Sequence, residues 1–207
     1  AFAGKQAEWA AQGWKIVAVE CTPEGDGVPF DVDGTPILLR GRIDRIDHNP
    51  ITGEWAVLDY KTGSSVKPPE TTHRKGEDYQ WVDLQLPLYR QLLPRIVDEQ
   101  GQRLVSSEVV GPGGIRFGYV SLPQNAKESD FLLADWTKED LASAEAAARN
   151  AVRRLRQGRF EFDPAVTKAT RTGWDALQPL LTVGWQATGE DEGAASAHES
   201  SEEEGKD

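Results

Sequence analysis

Two neighbouring stretches, Gly41-Arg-Ile-Asp-Arg-Ile-Asp47 and Trp55-Ala-Val-Leu-Asp-Tyr-Lys-Thr-Gly63, set the tightest limit on what this chain can fold into. Both have strand length and a share of β-branched and aromatic residues. Between them, His48-Asn-Pro-Ile-Thr-Gly53 carries Asn-Pro and Thr-Gly, which are turn chemistry. Side chains alternate faces along a strand, so Trp55, Val57, Asp59 and Lys61 share one side, with Asp59 and Lys61 about 7 Å apart. On the preceding strand Leu38, Arg40, Arg42 and Asp44 share a face. If the strands pair with Asp44 beside Asp59, two carboxylates and a lysine meet at one place.

Two carboxylates that close repel, which raises one pKa and costs stability unless a cation sits between them. Magnesium suits this arrangement, because it takes one or two carboxylates and fills its remaining positions with water and substrate phosphate oxygens. The adjacent lysine can stabilise developing negative charge or hold a water. Together these are the parts of a metal-assisted phosphodiester hydrolase. Taken singly, Asp44, Asp59 and Lys61 each read first as solvated strand residues, Asp44 paired with Arg42 or Lys61. Their combination, followed by Gln85-Leu-Pro-Leu-Tyr89 in a segment with helical spacing, points to a site.

The rest of the chain reads as scaffold. A helix is predicted over Phe2 to Gly13, a strand over Trp14 to Cys21, and a turn or wide hairpin loop over Pro23 to Gly34. Strands follow at Ile37 to Asp47 and Trp55 to Lys61, then an exposed polar loop over Thr62 to Asp78. Leu84, Leu88, Leu92 and Ile96 predict a helix within Tyr79 to Gln100 that Pro94 kinks or ends. A turn at Gly111 to Gly114 leads to a strand at Ile115 to Leu122. A helix capped by Thr137, with Asp140 three positions on, runs to about Gln157 and stops at Gly158. Phe160 to Trp185 is irregular, and the composition from Ala187 onward is that of a disordered tail. The order is helix, three strands, helix, strand, helix.

The net charge of −11 seems at odds with a nucleic-acid substrate, but Gly189 to Asp207 alone carries −7. The remaining body carries about −4, the −11 of the chain less the −7 of the tail, and holds the basic cluster Arg149, Arg153, Arg154, Arg156 and Arg159, which reads as a solvated helix face before a phosphate site. The single cysteine, Cys21, excludes an internal disulfide and any all-cysteine metal site within this chain, and reads as a small buried hydrophobe in a reducing compartment. No apolar run reaches the roughly 18 residues of a membrane span. The chain opens without Met inside a helical pattern and shows no secretory leader, which predicts a piece of a longer protein.

Gly-Arg-Ile-Asp-Arg-Ile-Asp, Leu-Asp-Tyr-Lys-Thr-Gly and Gln-Leu-Pro-Leu-Tyr, in that order, resemble the PD-(D/E)XK nuclease superfamily. More narrowly they resemble the RecB-type nuclease domain that also ends AddB-type helicase–nuclease subunits. The likeness is tight from Val19 to Tyr89 and looser to about Pro164. It implies an α/β, restriction-endonuclease-like fold with a central mixed sheet in αβββαβ order flanked by helices, which agrees with the element order above. It implies that Asp44 and Asp59, with the Tyr60 backbone carbonyl, hold Mg²⁺ or Mn²⁺, that Lys61 is the active-site lysine, and that Gln85 and Tyr89 line the site and touch DNA. Arg42 is a further DNA-contact candidate. Glu20 either supports the site or pairs with Arg40 or Arg42.

By the same resemblance, residues 1–186 form the nuclease domain and residues 187–207 an acidic tail. The expected activity is that of an exonuclease in recombination and double-strand-break repair, with DNA and a helicase as partners, in the cytoplasm and away from membranes. The chain departs from the pattern in two ways. Relatives carry a histidine on an amino-terminal helix that is missing here, and His48 and His73 both fall where solvated side chains are expected. Cysteines for an iron–sulfur cluster are also missing, so no cluster is expected. A silent nuclease-like module that binds DNA or a helicase is the competing reading. Trp174 and Trp185 read as packing residues before base-stacking ones.

Overall fold

The central sheet is built from five strands in the computed structural model, which describes residues 1–76, 78–105 and 114–159. In chain order the elements are α1 (Phe2–Ala11), β1 (Lys15–Cys21), β2 (Val28–Val32), β3 (Thr35–Leu39), β4 (Ile43–His48) and β5 (Trp55–Gly63). They continue with α2 (Pro69–His73), β6 (Arg74–Lys75), β7 (Gln80–Trp81), α3 (Gln85–Leu92), β8 (Ile115–Pro123), β9 (Asp130–Leu133) and α4 (Lys138–Arg156). The sheet order is β1-β4-β5-β8-β9. β1, β4 and β5 form an antiparallel meander, β8 runs parallel to β5, and β9 turns back antiparallel on β8. This is the mixed, helix-flanked α/β architecture that the motifs imply.

From Ala56 to Asp59 both faces of β5 are buried, because this part of the strand is central and covered on each side. Ala56 and Leu58 meet Val120 of β8 and the indoles of Trp9 and Trp14 on one face. Val57 faces the other way, in a cluster with Ile46, Phe117, Tyr119, and Leu86, Tyr89 and Leu92 of α3. The α1 side also encloses an ion pair. Arg45 Nε donates to Asp47 Oδ1 at 2.7 Å and Arg45 Nη2 to Oδ2 at 2.6 Å, with both side chains essentially inaccessible. Trp9 Nε1 donates to the same Oδ2 at 2.7 Å, and Arg45 Nη1 donates to Gln6 Oε1 at 2.8 Å. Trp9 stacks between Trp14 and Phe131, at 4.6 and 4.4 Å between centroids. The polar pair is therefore satisfied by the helix that covers it.

Several local expectations need correction. The predicted strand Ile37–Asp47 breaks at residues 40–42, and its first half belongs to a separate hairpin, β2–β3. Val28, Phe30 and Val32 alternate inward, and Asp33 and Gly34 take φ of +55° and +78°, the two left-handed positions of a tight hairpin turn. The turn chemistry of residues 23–34 thus conceals a strand. The predicted helix over 79–100 contracts to α3. Tyr79 precedes the β7 strand, Gln85 N–H donates to Asp83 Oδ1 at 2.8 Å to start the helix, and Pro94 falls in a 3₁₀ turn over Leu93–Arg95. The loop predicted over 62–78 contains the end of β5, α2 and β6, and β9 has no counterpart in the sequence reading. Cys21 is half-buried and its thiol donates to the Ile43 carbonyl at 3.6 Å. The expected turn at 111–113, the 160–185 segment with Trp174 and Trp185, and the tail from Ala187 lie outside the described residues.

α4 begins and ends as read, with a Thr137–Asp140 capping box. Its arginines lie on a largely solvated face, as expected, but three of them are engaged with the neighbouring hairpin. Arg153 grips Asp33 through Nε and Nη2 at 2.6 and 2.7 Å, Arg156 donates to the Val32 and Thr35 carbonyls at 2.9 and 2.7 Å, and Arg149 Nε reaches the Asp31 carbonyl at 3.3 Å. The row clamps the hairpin onto the helix.

Removing one member of a buried ion pair leaves the other charge without compensation. Arg45→Ala is expected to cost roughly 3–5 kcal/mol of unfolding free energy, read as a lower urea midpoint with an unchanged slope.

Candidate active site

The β4–β5 ladder pairs Arg45 with Leu58 and goes no further. One step on, the Asp44 side chain takes over from its backbone, and Asp44 Oδ2 accepts the Tyr60 N–H at 3.0 Å. The strands part there, with a carboxylate bridging the gap. Alternation puts Asp59 and Lys61 on the same face as Asp44, as the sequence predicts.

Asp59 is the buried centre of this group, with 4% of its surface exposed. Its Oδ1 accepts from Gln85 Nε2 at 3.1 Å. Oδ2 lies 2.8 Å from Lys61 Nζ, an ion-pair distance, yet it is buried without a well-directed hydrogen bond. Burial pushes the Asp59 carboxyl above its ordinary pKa; Lys61 opposes this, while Asp44 and Asp83 add to it. Gln85 Nε2 spends its other hydrogen on the Tyr89 hydroxyl at 2.7 Å. Tyr89 is buried, and burial pushes its pKa up to about 12, so it remains a neutral phenol. Residues four apart on α3 thus act as a stack, with Tyr89 fixing Gln85 and Gln85 fixing Asp59.

Asp44, Asp59, Lys61, Gln85 and Tyr89 therefore come together. Tyr60 lies among them through its N–H, while its ring is on the opposite face and partly exposed. Glu20 and Arg42 bond each other at 2.9 Å, with side chains 54% and 60% exposed, so of the two readings of Glu20 the geometry shows the pairing. Arg40 Nε donates to the Asp26 carbonyl at 2.7 Å. A cleft of about 330 Å³ runs from Gln85 and Tyr89 between residues 40–42 and Leu84, Leu88 and Leu92.

His73 corrects an expectation. It is not solvated but 1% exposed, with Nδ1 2.9 Å from the Asp83 carbonyl and Nε2 2.6 Å from the Tyr119 hydroxyl. A carbonyl can only accept, so Nδ1 carries the proton and Nε2 accepts from Tyr119. Burial, its largest cause, lowers the His73 pKa. The sequence reading missed Tyr119 and Asp83 as well. Asp83 was accessible as a short polar side chain two positions before a helix start. His48 stacks on Trp55 at 4.3 Å.

The donors present fit a hard divalent cation. Asp44 and Asp59 are two oxygen-donor carboxylates, and one oxygen of Asp59 is buried without a well-directed hydrogen bond; among the described residues no three His, Cys, Asp or Glu side chains converge on a ready-made metal cage. A model of the PD-(D/E)XK nuclease superfamily matches residues 1–169. No curated protein matches the chain. No helix among the described residues is long and apolar enough to cross a membrane.

His73 makes stability pH-dependent with a definite sign. Its folded-state pKa lies below the unfolded value near 6.5, so the unfolded chain binds the proton more tightly between the two. Stability should be full above about pH 6.5 and fall as the pH drops from there through the lower folded-state value. Urea midpoints measured across that range should show a slope in the parent that is lost in His73→Gln.

Proposed function

The chain belongs to the PD-(D/E)XK nuclease superfamily, and on that premise we propose that it is a Mg²⁺-dependent deoxyribonuclease of RecB/AddB type, with Asp44, Asp59 and Lys61 as its reactive set. The observation that carries this reading is Asp59 Oδ2, buried beside Asp44 and 2.8 Å from the Lys61 ammonium without a well-directed hydrogen bond. Nucleases of this superfamily typically use divalent metals. A cation held by Asp44 and Asp59, with the Tyr60 carbonyl as a further donor, would supply the charge that polarises the phosphodiester and acidifies the attacking water.

The chain's own groups do the rest. Gln85 holds Oδ1 of Asp59, which leaves Oδ2 turned toward Lys61. Lys61 places its positive charge where negative charge builds on the phosphoryl oxygens during attack. In-line attack by water then breaks the P–O3′ bond, leaving a 5′-phosphate and a 3′-hydroxyl. The cleft beside Gln85, Tyr89 and Arg42 offers the path for the strand. The finer assignments rest on the three ordered motifs: exonuclease action in double-strand-break repair, a helicase partner, a cytoplasmic setting, and a nuclease domain over 1–186 followed by an acidic tail over 187–207.

Two measurements test this. Isothermal titration with Mn²⁺ should show binding by the parent at millimolar concentration or below and none by Asp59→Ala. Single-turnover digestion of labelled single- and double-stranded DNA with Mg²⁺ should slow by on the order of 10²-fold in Lys61→Ala. Equal cleavage by both proteins, or a parent that binds no metal, overturns the proposal.

A further inference from the structure

Lys61 has a second contact besides Asp59. Its Nζ sits 5.2 Å from the centroid of the Tyr119 ring, within the range for an ammonium over an aromatic face. This placement follows from the sheet. β5 and β8 run parallel with Asp59 opposite Tyr119 and Lys61 opposite Ser121, so Asp59, Lys61 and Tyr119 emerge side by side on one face. The Tyr119 ring is 2% exposed and fastened at its far end. Its hydroxyl donates to His73 Nε2 at 2.6 Å and lies 2.9 Å from Thr72 Oγ1. His73 is in turn anchored on the Asp83 carbonyl, and Asp83 Oδ1 holds the first N–H of α3.

We propose that Tyr119 is a positioning residue for Lys61, its ring face holding the ammonium over the site and its hydroxyl locked in place by His73 and Thr72. The proposal rests on the functional reading of Lys61 given above. A lysine has four rotatable side-chain bonds and much rotamer entropy to lose. Its one ion-pair partner among the described residues, Asp59 Oδ2, is the oxygen that a cation would also claim. The Tyr119 face does not compete for that oxygen, so it can hold the ammonium in place whether or not Asp59 is otherwise engaged. The contacts close into a ring: Asp59, Lys61, Tyr119, His73, Asp83, Gln85 and back to Asp59. Through it α2 and the start of α3 bear on the lysine.

The test compares the full chain with Tyr119→Phe, Tyr119→Leu, Lys61→Ala and the Tyr119→Leu/Lys61→Ala double variant. In protein labelled with ¹³C-lysine, the Lys61 Hε resonances should be shifted upfield by the ring in the parent. The shift should shrink and broaden in Tyr119→Phe and vanish in Tyr119→Leu. Single-turnover cleavage should fall a few-fold in Tyr119→Phe and about tenfold in Tyr119→Leu, with half-saturation by DNA unchanged. In the Lys61→Ala background Tyr119→Leu should cost nothing further, because the two residues act through one interaction. A core role for Tyr119 alone predicts additive losses instead, and additivity overturns the proposal. So does an unshifted Lys61 in the parent. If Tyr119→Leu fails to fold, the isosteric Tyr119→Phe decides through the shift and its own cycle with Lys61→Ala. If Lys61→Ala cleaves like the parent, the functional reading falls while the ring-current shift still decides the positioning claim.

Discussion

The burial of Asp59 is the constraint on which the rest of the site depends. A carboxylate taken out of water loses hydration, and its pKa rises unless donors replace that hydration. Here the replacement is partial: Gln85 serves one oxygen and Lys61 stands beside the other without a well-directed hydrogen bond. A fully satisfied Asp59 would be an ordinary buried ion pair. An incompletely satisfied one beside Asp44 carries a desolvation cost that the surrounding core must offset. That core is ample around β5, where Ala56, Val57 and Leu58 are inaccessible.

The opposite face of the same strands shows the contrast. Arg45 and Asp47 are as deeply buried as Asp59, but their bonds to each other, to Gln6 and to Trp9 leave no atom of the pair without a partner. Ile43-Asp-Arg-Ile-Asp47 therefore divides by parity. Asp44 goes to the face of Asp59, and Arg45 and Asp47 go to the face of α1. Two charged sets only a residue apart are kept separate by the sheet between them. One is closed and structural; the other is open.

This division explains what was legible in the sequence. Alternation in Trp55–Lys61, a turn of known chemistry and a four-residue helical spacing in Gln85–Tyr89 are local rules, and they brought five residues to one place. What stayed hidden depends on contacts distant in sequence. His73 lies in a polar stretch, and its burial follows from Tyr119, whose hydroxyl needs an acceptor once the ring is enclosed. The 79–100 segment has helical spacing, but Arg74 pairs with Asp140 on α4 and packs under the rings of Tyr79 and Trp81, which favours a hairpin there. The break at residues 40–42 was different, since Asp33-Gly34 between alternating apolar residues is a local hairpin signal that the surrounding Gly and Pro obscured.

α4 links these distant contacts to the site without contributing a residue to it. Its arginines hold β2–β3, and the chain leaving that hairpin runs through Gly41 into Asp44. A Cβ at Gly41 would meet Leu92 Cδ1 at 3.0 Å, so this passage runs tight against α3. Nearer the start of α4, Glu145 accepts from Gln91 of α3 at 2.7 Å, and Asp140 pairs with Arg74 just after α2. One helix thus braces the three segments that deliver Asp44, Gln85 and His73. Exposed ion pairs such as Arg153–Asp33 add little stability individually. Their value here is geometric: they fix where flexible connections enter a site whose reactive groups must stay within a few tenths of an ångström of each other.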